Sequence, residues 1–159
     1  MKFRRRRRYN RSPIPAQLFI IVVPIALLLF AFSYFKSSPE TAAEKTVSSF
    51  YQHEQNNDFA SSWELFHPQM KTIFTKSDYI RYRNHIFVDQ LGAKTFDYSV
   101  GEAKVLSNWK MTEQAESLSE VYEVPVTQKY KSTFGNFTHQ QNIYVVKNEG
   151  EWRILWSYD

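Results

Sequence analysis

Residues 16–35 read Ala-Gln-Leu-Phe-Ile-Ile-Val-Val-Pro-Ile-Ala-Leu-Leu-Leu-Phe-Ala-Phe-Ser-Tyr-Phe, twenty residues without a charge. At about 1.5 Å rise per residue, a helix of that length spans roughly 30 Å, the thickness of a bilayer's hydrocarbon core. The run predicts one transmembrane signal-anchor over residues 14–36, with Pro24 tolerated mid-span as a kink. Before it, residues 1–13 hold Lys2, Arg4, Arg5, Arg6, Arg7, Arg8 and Arg11 and no acid; after it stands only Lys36. That imbalance predicts a cytoplasmic basic tail and an extracytoplasmic domain over residues 37–159. The same arginines suit anionic lipid headgroups. Ala31 and Ser33 offer a small-x-small cleavage pattern, but the bulky rings around them favour an uncleaved anchor.

The formal charge of +4 divides along the same line. Residues 1–36 carry eight cations and no acid; residues 37–159 carry 12 cations and 16 acids, a charge of −4. Tyr79, Arg81, Tyr82 and Arg83 form a basic-aromatic cluster of the kind used on nucleic acid. On an external acidic domain they read instead as core-edge side chains with long apolar stems. No partnership with nucleic acid is expected. The absence of cysteine excludes disulfides, thiolate metal sites and a cysteine nucleophile.

Ser38-Pro39-Glu40 has the order of a helix start, an N-cap followed by proline and an acid. Ala43, Val47, Phe50, Tyr51 and Glu54 follow at helical spacing, which predicts a helix over 39–56. Asp58 is placed to cap a second helix with Phe59, Trp63 and Phe66 on one face, ended by Pro68. Met70, Ile73 and Phe74 suggest a short helical turn. Thr75 and Asp78 resemble a capping box. A third helix from there reaches about Leu91 and stops at Gly92.

Beyond Gly92 the period changes to alternation. Phe96, Tyr98, Val100, Val105, Leu106 and Trp109 predict one strand-like stretch. Residues 110–116 read as a polar loop. Leu118, Tyr122, Val124, Val126 and Tyr130 share a parity. Gly135-Asn136 and Asn148-Glu149-Gly150 read as turns around a strand at 137–147, and Trp152, Ile154 and Trp156 alternate at the end. Short turns between long strands favour antiparallel pairing. The expected fold class is α+β: three N-terminal helices on a curved antiparallel sheet of about four strands, preceded by one transmembrane helix. Of the 20 aromatics in residues 37–159, Phe59, Trp63, Phe66, Trp152 and Trp156 are the expected core.

This order of elements resembles the nuclear transport factor 2-like, or cystatin-like cone, superfamily over residues 39–158. The local features are Thr46-Val47-Ser48-Ser49-Phe50-Tyr51 in the first helix, Asn57-Asp58-Phe59-Ala60-Ser61-Ser62-Trp63 at the start of the second, and Gly150-Glu151-Trp152-Arg153-Ile154 in the last strand. The resemblance implies a cone between helices and sheet. Its members include isomerases, dehydratases, secretion-system subunits and non-catalytic domains of cell-wall transpeptidases, so fold alone does not decide function. No motif of the enzymes carries over onto this chain.

Candidate chemistry is sparse. His53, His67, His85 and His139 have no metal-ligand spacing, and neither metal nor cofactor is expected. With four glycines, none clustered, no phosphate cradle can be built, and no Ser-His-Asp arrangement is evident. Strand parity places His139 and Gln141 on one face with Ile143 and Val145. Gln128 and Tyr130 join them from the preceding strand, a polar set for a small-molecule ligand at the cone mouth. No strand carboxylate joins these four, and Asp78, Asp89 and Asp97 are the acids nearest element ends. Asn136-Phe137-Thr138 is a glycosylation sequon, relevant only in a eukaryotic secretory cell. The expectation is therefore a non-enzymatic binding or assembly module of a Gram-positive cell envelope, partnered by another envelope protein or by its own copies. The alternatives are an isomerase or dehydratase using the cone, and a secretion or conjugation scaffold.

Overall fold

The computed structural model describes residues 37–158. The expected basic tail, the span at 14–36 and the cleavage pattern at Ser33 lie outside the described residues. Among the described residues no helix is long and apolar enough to cross a membrane. Ser38–Asp159 forms one compact unit.

The unit is α+β. Helices come first: α1 (Pro39–Gln55), α2 (Phe59–Glu64), α3 (Pro68–Ile73) and α4 (Lys76–Arg83), which runs on into a π-helical segment, Asn84–Gln90. Five strands follow: β1 (Phe96–Val100), β2 (Lys104–Trp109), β3 (Leu118–Ser132), β4 (Gly135–Asn148) and β5 (Glu151–Leu155). The five strands pair antiparallel in the order β1-β3-β4-β5, with β2 also on β3, and an isolated parallel bridge joins Phe66 to Ile154. The sheet curls into a half-barrel, and α1 packs against β1, β3, β4 and β5.

Two counts differ from expectation, and each has a local cause. The helices number four rather than three because Pro68 starts a helix as well as ending one. It sits at the first turn of α3, where its missing N–H is no loss. His67 caps that helix, its Nδ1 accepting from the Gln69 N–H at 3.2 Å. The expected third helix is α-helical only to Arg83. The caps of α1, α2 and α4 are Ser38, Asp58 and Thr75, each accepting from a backbone N–H in the first turn.

The strands number five rather than four because Pro125 interrupts the edge of β3. Even-numbered residues from Tyr122 to Tyr130 pair with odd residues of β4. The Pro125 carbonyl faces the β1–β2 seam, and proline offers no donor beside it. Gly101 N–H donates to that carbonyl at 2.8 Å, and regular pairing stops. It resumes with the register shifted by one residue: Val100 lies opposite Val126, but Lys104 lies opposite Glu123. Gly101 is required by close approach, since a Cβ there would stand 2.9 Å from Pro125 Cγ.

The inner core is aromatic. Phe66 packs edge-on against Tyr79 and Trp156, each at a centroid distance of 5.1 Å, and lies 5.4 Å from Phe50. Phe59 and Phe66 are buried as expected, whereas Trp63, Trp152 and Trp156 are only partly buried and rim the core. A second apolar layer lies on the other face of the sheet. Val121 and Tyr122 are adjacent on β3 and both buried, so one faces each side. On the outer side Trp109 stacks on Tyr144 at 4.3 Å. The expected polar loop after Trp109 is not wholly polar in its role: Met111 is 6% exposed. Its carbonyl accepts from the Tyr158 N–H at 3.0 Å, tying the loop to the C-terminal segment.

Candidate functional site

The main polar feature of the interior is a carboxylate. Glu54 stands on the apolar stripe of α1, one turn after Phe50, and is 1% exposed. Its Oε1 accepts from the Tyr79 hydroxyl at 2.8 Å and from the Ser62 hydroxyl. Its Oε2 pairs with the Arg83 guanidinium, whose side chain is 16% exposed. A buried carboxylate is tolerable only when its lone pairs and charge are met; α2 supplies the Ser62 hydroxyl, and α4 supplies the Tyr79 hydroxyl and the Arg83 charge. Arg83 also lies over the Phe87 ring, 4.0 Å from its centroid.

A second polar layer continues toward β3 and β4. Gln128 Nε2 donates to the Tyr130 hydroxyl at 2.6 Å, and both residues are 2% exposed. Gln141 Nε2 donates to the Tyr51 hydroxyl. The stack Phe87–Tyr130–Phe137, with centroid distances of 5.3 and 4.8 Å, carries the layer to the surface. Of the four residues expected at the cone mouth, Gln128, Tyr130 and Gln141 are thus gathered into the interior. His139 lies opposite Gln128 in register but is exposed.

Electrostatics keep the phenols of this network protonated. Burial pushes the Tyr51 and Tyr79 phenols well above their ordinary range, and the Glu54 charge pushes both the same way. Burial raises Tyr130 to about 12 against the opposing pull of Arg83. All three phenols stay neutral over the physiological range; Tyr79 donates to Glu54, while Tyr51 and Tyr130 accept from Gln141 and Gln128. Burial would lower Arg83, but the charge of Glu54 outweighs it and holds the guanidinium protonated.

The acids expected as suppliers of a base are elsewhere. Asp89 and Asp97 are exposed, and Asp78, in the first turn of α4, accepts from the capping Thr75 hydroxyl and pairs with Arg81. Arg83 is not the surface-seeking side chain expected of the basic-aromatic cluster, because it meets Glu54. Glu54 was legible as an acid at a core position of a helical stripe, the one signal that could have revealed the network. Among the described residues no group of three or more His, Asp or Glu is arranged to hold a metal ion.

Clefts open to solvent include one of about 580 Å³ bounded by Leu106, Trp109, Lys110 and Glu113, one of about 250 Å³ bounded by Lys94, Asp97, Lys129 and Lys131, and one of about 90 Å³ bounded by Tyr98 and Thr127. None of them is lined by Glu54, Arg83 or Tyr51. No protein-family model matches the chain, and no curated protein matches it in sequence.

Proposed function

We propose that this chain is a membrane-tethered, extracytoplasmic binding or assembly module of the nuclear transport factor 2-like type, and that its domain works without catalysis. The observation that supports this most directly is the engagement of Glu54. In a cone enzyme the interior acid must be free to take a proton from a substrate. Here Oε1 accepts from Ser62 and Tyr79, Oε2 is ion-paired with Arg83 without a hydrogen bond, and the rings of Phe50, Phe66, Tyr79 and Trp156 pack on one another in the same core. The interior reads as structural, and recognition falls to the outer surfaces. The tether is supported by the uncharged run at 16–35 and the arginines before it.

Mild crosslinking of the full chain in its native membrane, followed by purification and mass spectrometry, tests the proposal. Recovery of a defined envelope protein, or of the chain's own copies, is the expected outcome. A chain recovered alone under conditions that crosslink other envelope complexes overturns it. Protease added outside intact cells should remove residues 37–159 and spare the basic tail.

A second reading, a small-molecule isomerase or dehydratase, draws on the presence of a buried acid among neutral phenols. It requires Arg83 to leave Glu54. Soaking with small carbonyl compounds should leave the chemical shifts of Tyr51 and Tyr79 unmoved if the first reading holds.

A further inference from the structure

Among the described residues, the longest uncharged stretch of free sheet edge lies on β4. Sheet edges expose unpaired N–H and C=O groups and are normally shortened, charged, kinked or covered. The outer side of β5 is covered: Ile154 N–H donates to Leu65 C=O at 2.9 Å, and His67 N–H donates to Ile154 C=O at 2.9 Å. β1 carries Asp97, and its Phe96 carbonyl accepts from Gln55 Nε2 at 2.7 Å. β2 carries Lys104 and lies near the Ala103 N–H, which donates to Glu44 Oε1 at 2.9 Å.

β4 differs. β5 pairs only with Tyr144–Asn148, so residues 135–143 of β4 have β3 on one side and, among the described residues, no strand on the other. The sequence there is Gly-Asn-Phe-Thr-His-Gln-Gln-Asn-Ile, with no Lys, Arg, Asp, Glu or Pro. Residues 135–140 and Asn142 are exposed.

The direction of the free groups follows from the two registers. Asn148 lies opposite Glu151 across a two-residue turn, Glu149-Gly150, with φ of 50° and 87°. Such a turn closes on a hydrogen-bonded pair, so Asn148, Val146 and Tyr144 direct their backbone toward β5. By alternation Asn142, Gln140, Thr138 and Asn136 direct theirs to the same, unoccupied side. Phe137, His139, Gln141 and Ile143 hold the ladder to β3.

We propose that this edge pairs with the same edge of a second copy, antiparallel about a twofold axis at His139. Three features favour a second copy over another strand. The edge carries no formal charge, so self-pairing sets no like charges opposite each other. It is bounded at one end by the β3–β4 turn and at the other by the end of β5, and centring on His139 uses the whole interval. Asn136 then meets Asn142, and Thr138 meets Gln140, each a pair exchanging both backbone bonds, about eight hydrogen bonds in all. The pairing also covers Phe137, 37% exposed, and brings Phe134 at the turn, 82% exposed, alongside the end of the partner's β5. Two five-stranded sheets become one continuous sheet. This pairing deepens the assembly reading by naming the partner.

The chain contains no cysteine, which permits a clean test on the full chain in native membranes. His139 is exposed, and on the axis it faces its own counterpart in a non-hydrogen-bonded pair with Cα atoms about 4.5 Å apart, within disulfide reach. The variant His139→Cys is expected to give a disulfide-linked dimer under mild oxidation. The variant Asn142→Cys, whose counterpart lies roughly 20 Å away at about 3.4 Å per residue, is expected not to. Adding Thr138→Pro removes an outward N–H without touching the β3 ladder. It should lower His139→Cys crosslinking roughly tenfold, the effect of one lost hydrogen bond on each side of the axis. Absence of the His139→Cys dimer, or equal crosslinking of Asn142→Cys, overturns the pairing. If a different envelope protein is still captured by the wild-type chain, the pairing alone has failed and the assembly reading stands.

Discussion

The two halves of the β3–β4 hairpin are built on opposite terms. In the half holding Val121–Val124 and Ile143–Val146, both faces of the sheet are covered by apolar side chains. The inner face meets the helices, and the outer face meets Trp109, Met111 and Leu155. In the half holding Gln128–Ser132 and Gly135–Gln141, the inner face carries the polar layer of Gln128, Tyr130 and Gln141. Its outer face presents Thr127, Lys129, Thr138 and Gln140 to water. The contrast separates two roles along one pair of strands. Double burial fixes register and supplies stability, because a slip of one residue would exchange buried and exposed side chains. The polar half is held through specific partners, and it keeps the free edge and the open outer surface where recognition can occur.

Disrupting the polar layer should give the largest effect. Arg83→Met leaves Glu54 buried without its cation and should cost roughly 3–5 kcal/mol in urea unfolding. Replacing both residues, Glu54→Leu with Arg83→Met, should recover most of that loss. Equal destabilisation by the single and double variants would show that the pair itself is not what the interior depends on. On the doubly covered half, Leu155→Ala removes a fully buried side chain and should cost about 2–4 kcal/mol. A similar loss from Tyr122→Phe, which only removes a hydroxyl, would mean that packing is not the governing factor there.

At the junction of the halves, Gly101→Ala should cost about 1–2 kcal/mol, since the new methyl meets the ring of Pro125. Pro125→Ala should relieve part of that penalty in the double variant. A smaller effect is expected from pH. Burial, with Arg153 nearby, holds His67 below the usual histidine range. The unfolded chain therefore takes up the proton first as pH falls below about 6.5. Stability should decline through that window and level off below the folded-state pKa. His67→Asn keeps a capping side chain and should flatten this slope in thermal melts. Least of all, Gln140→Lys on the exposed outer face should change monomer stability by no more than about 0.5 kcal/mol. That makes it a probe of pairing rather than of folding.

Much of the fold is legible in the amino-acid sequence. The caps Ser38, Asp58 and Thr75 declare themselves because a short polar side chain before an apolar period has one favourable use. The inner parity of Tyr122, Val124, Val126, Tyr130, Ile143 and Val145 follows from alternation. Gln128 and Gln141 could be placed on the inner face by that same parity, but not their depth. Parity gives a side, whereas burial depends on the helices lying above it. The split between β1 and β2 was hidden because Pro125 acts on its neighbour's edge, not on its own strand. The partial burial of Trp63, Trp152 and Trp156 escaped because hydrophobicity says that a ring seeks cover, not how much remains.

Local pattern along the chain sets the division of charge, the uncharged run that points to a membrane, the α+β order and the facing of each strand. These depend on composition and short-range period. Three-dimensional packing sets the neutralisation of Glu54 by Arg83, the bond between Tyr158 N–H and the loop after Trp109, and the reach of β4 beyond β5 that leaves an edge. Each of these joins residues distant in sequence, through contacts that no local pattern encodes.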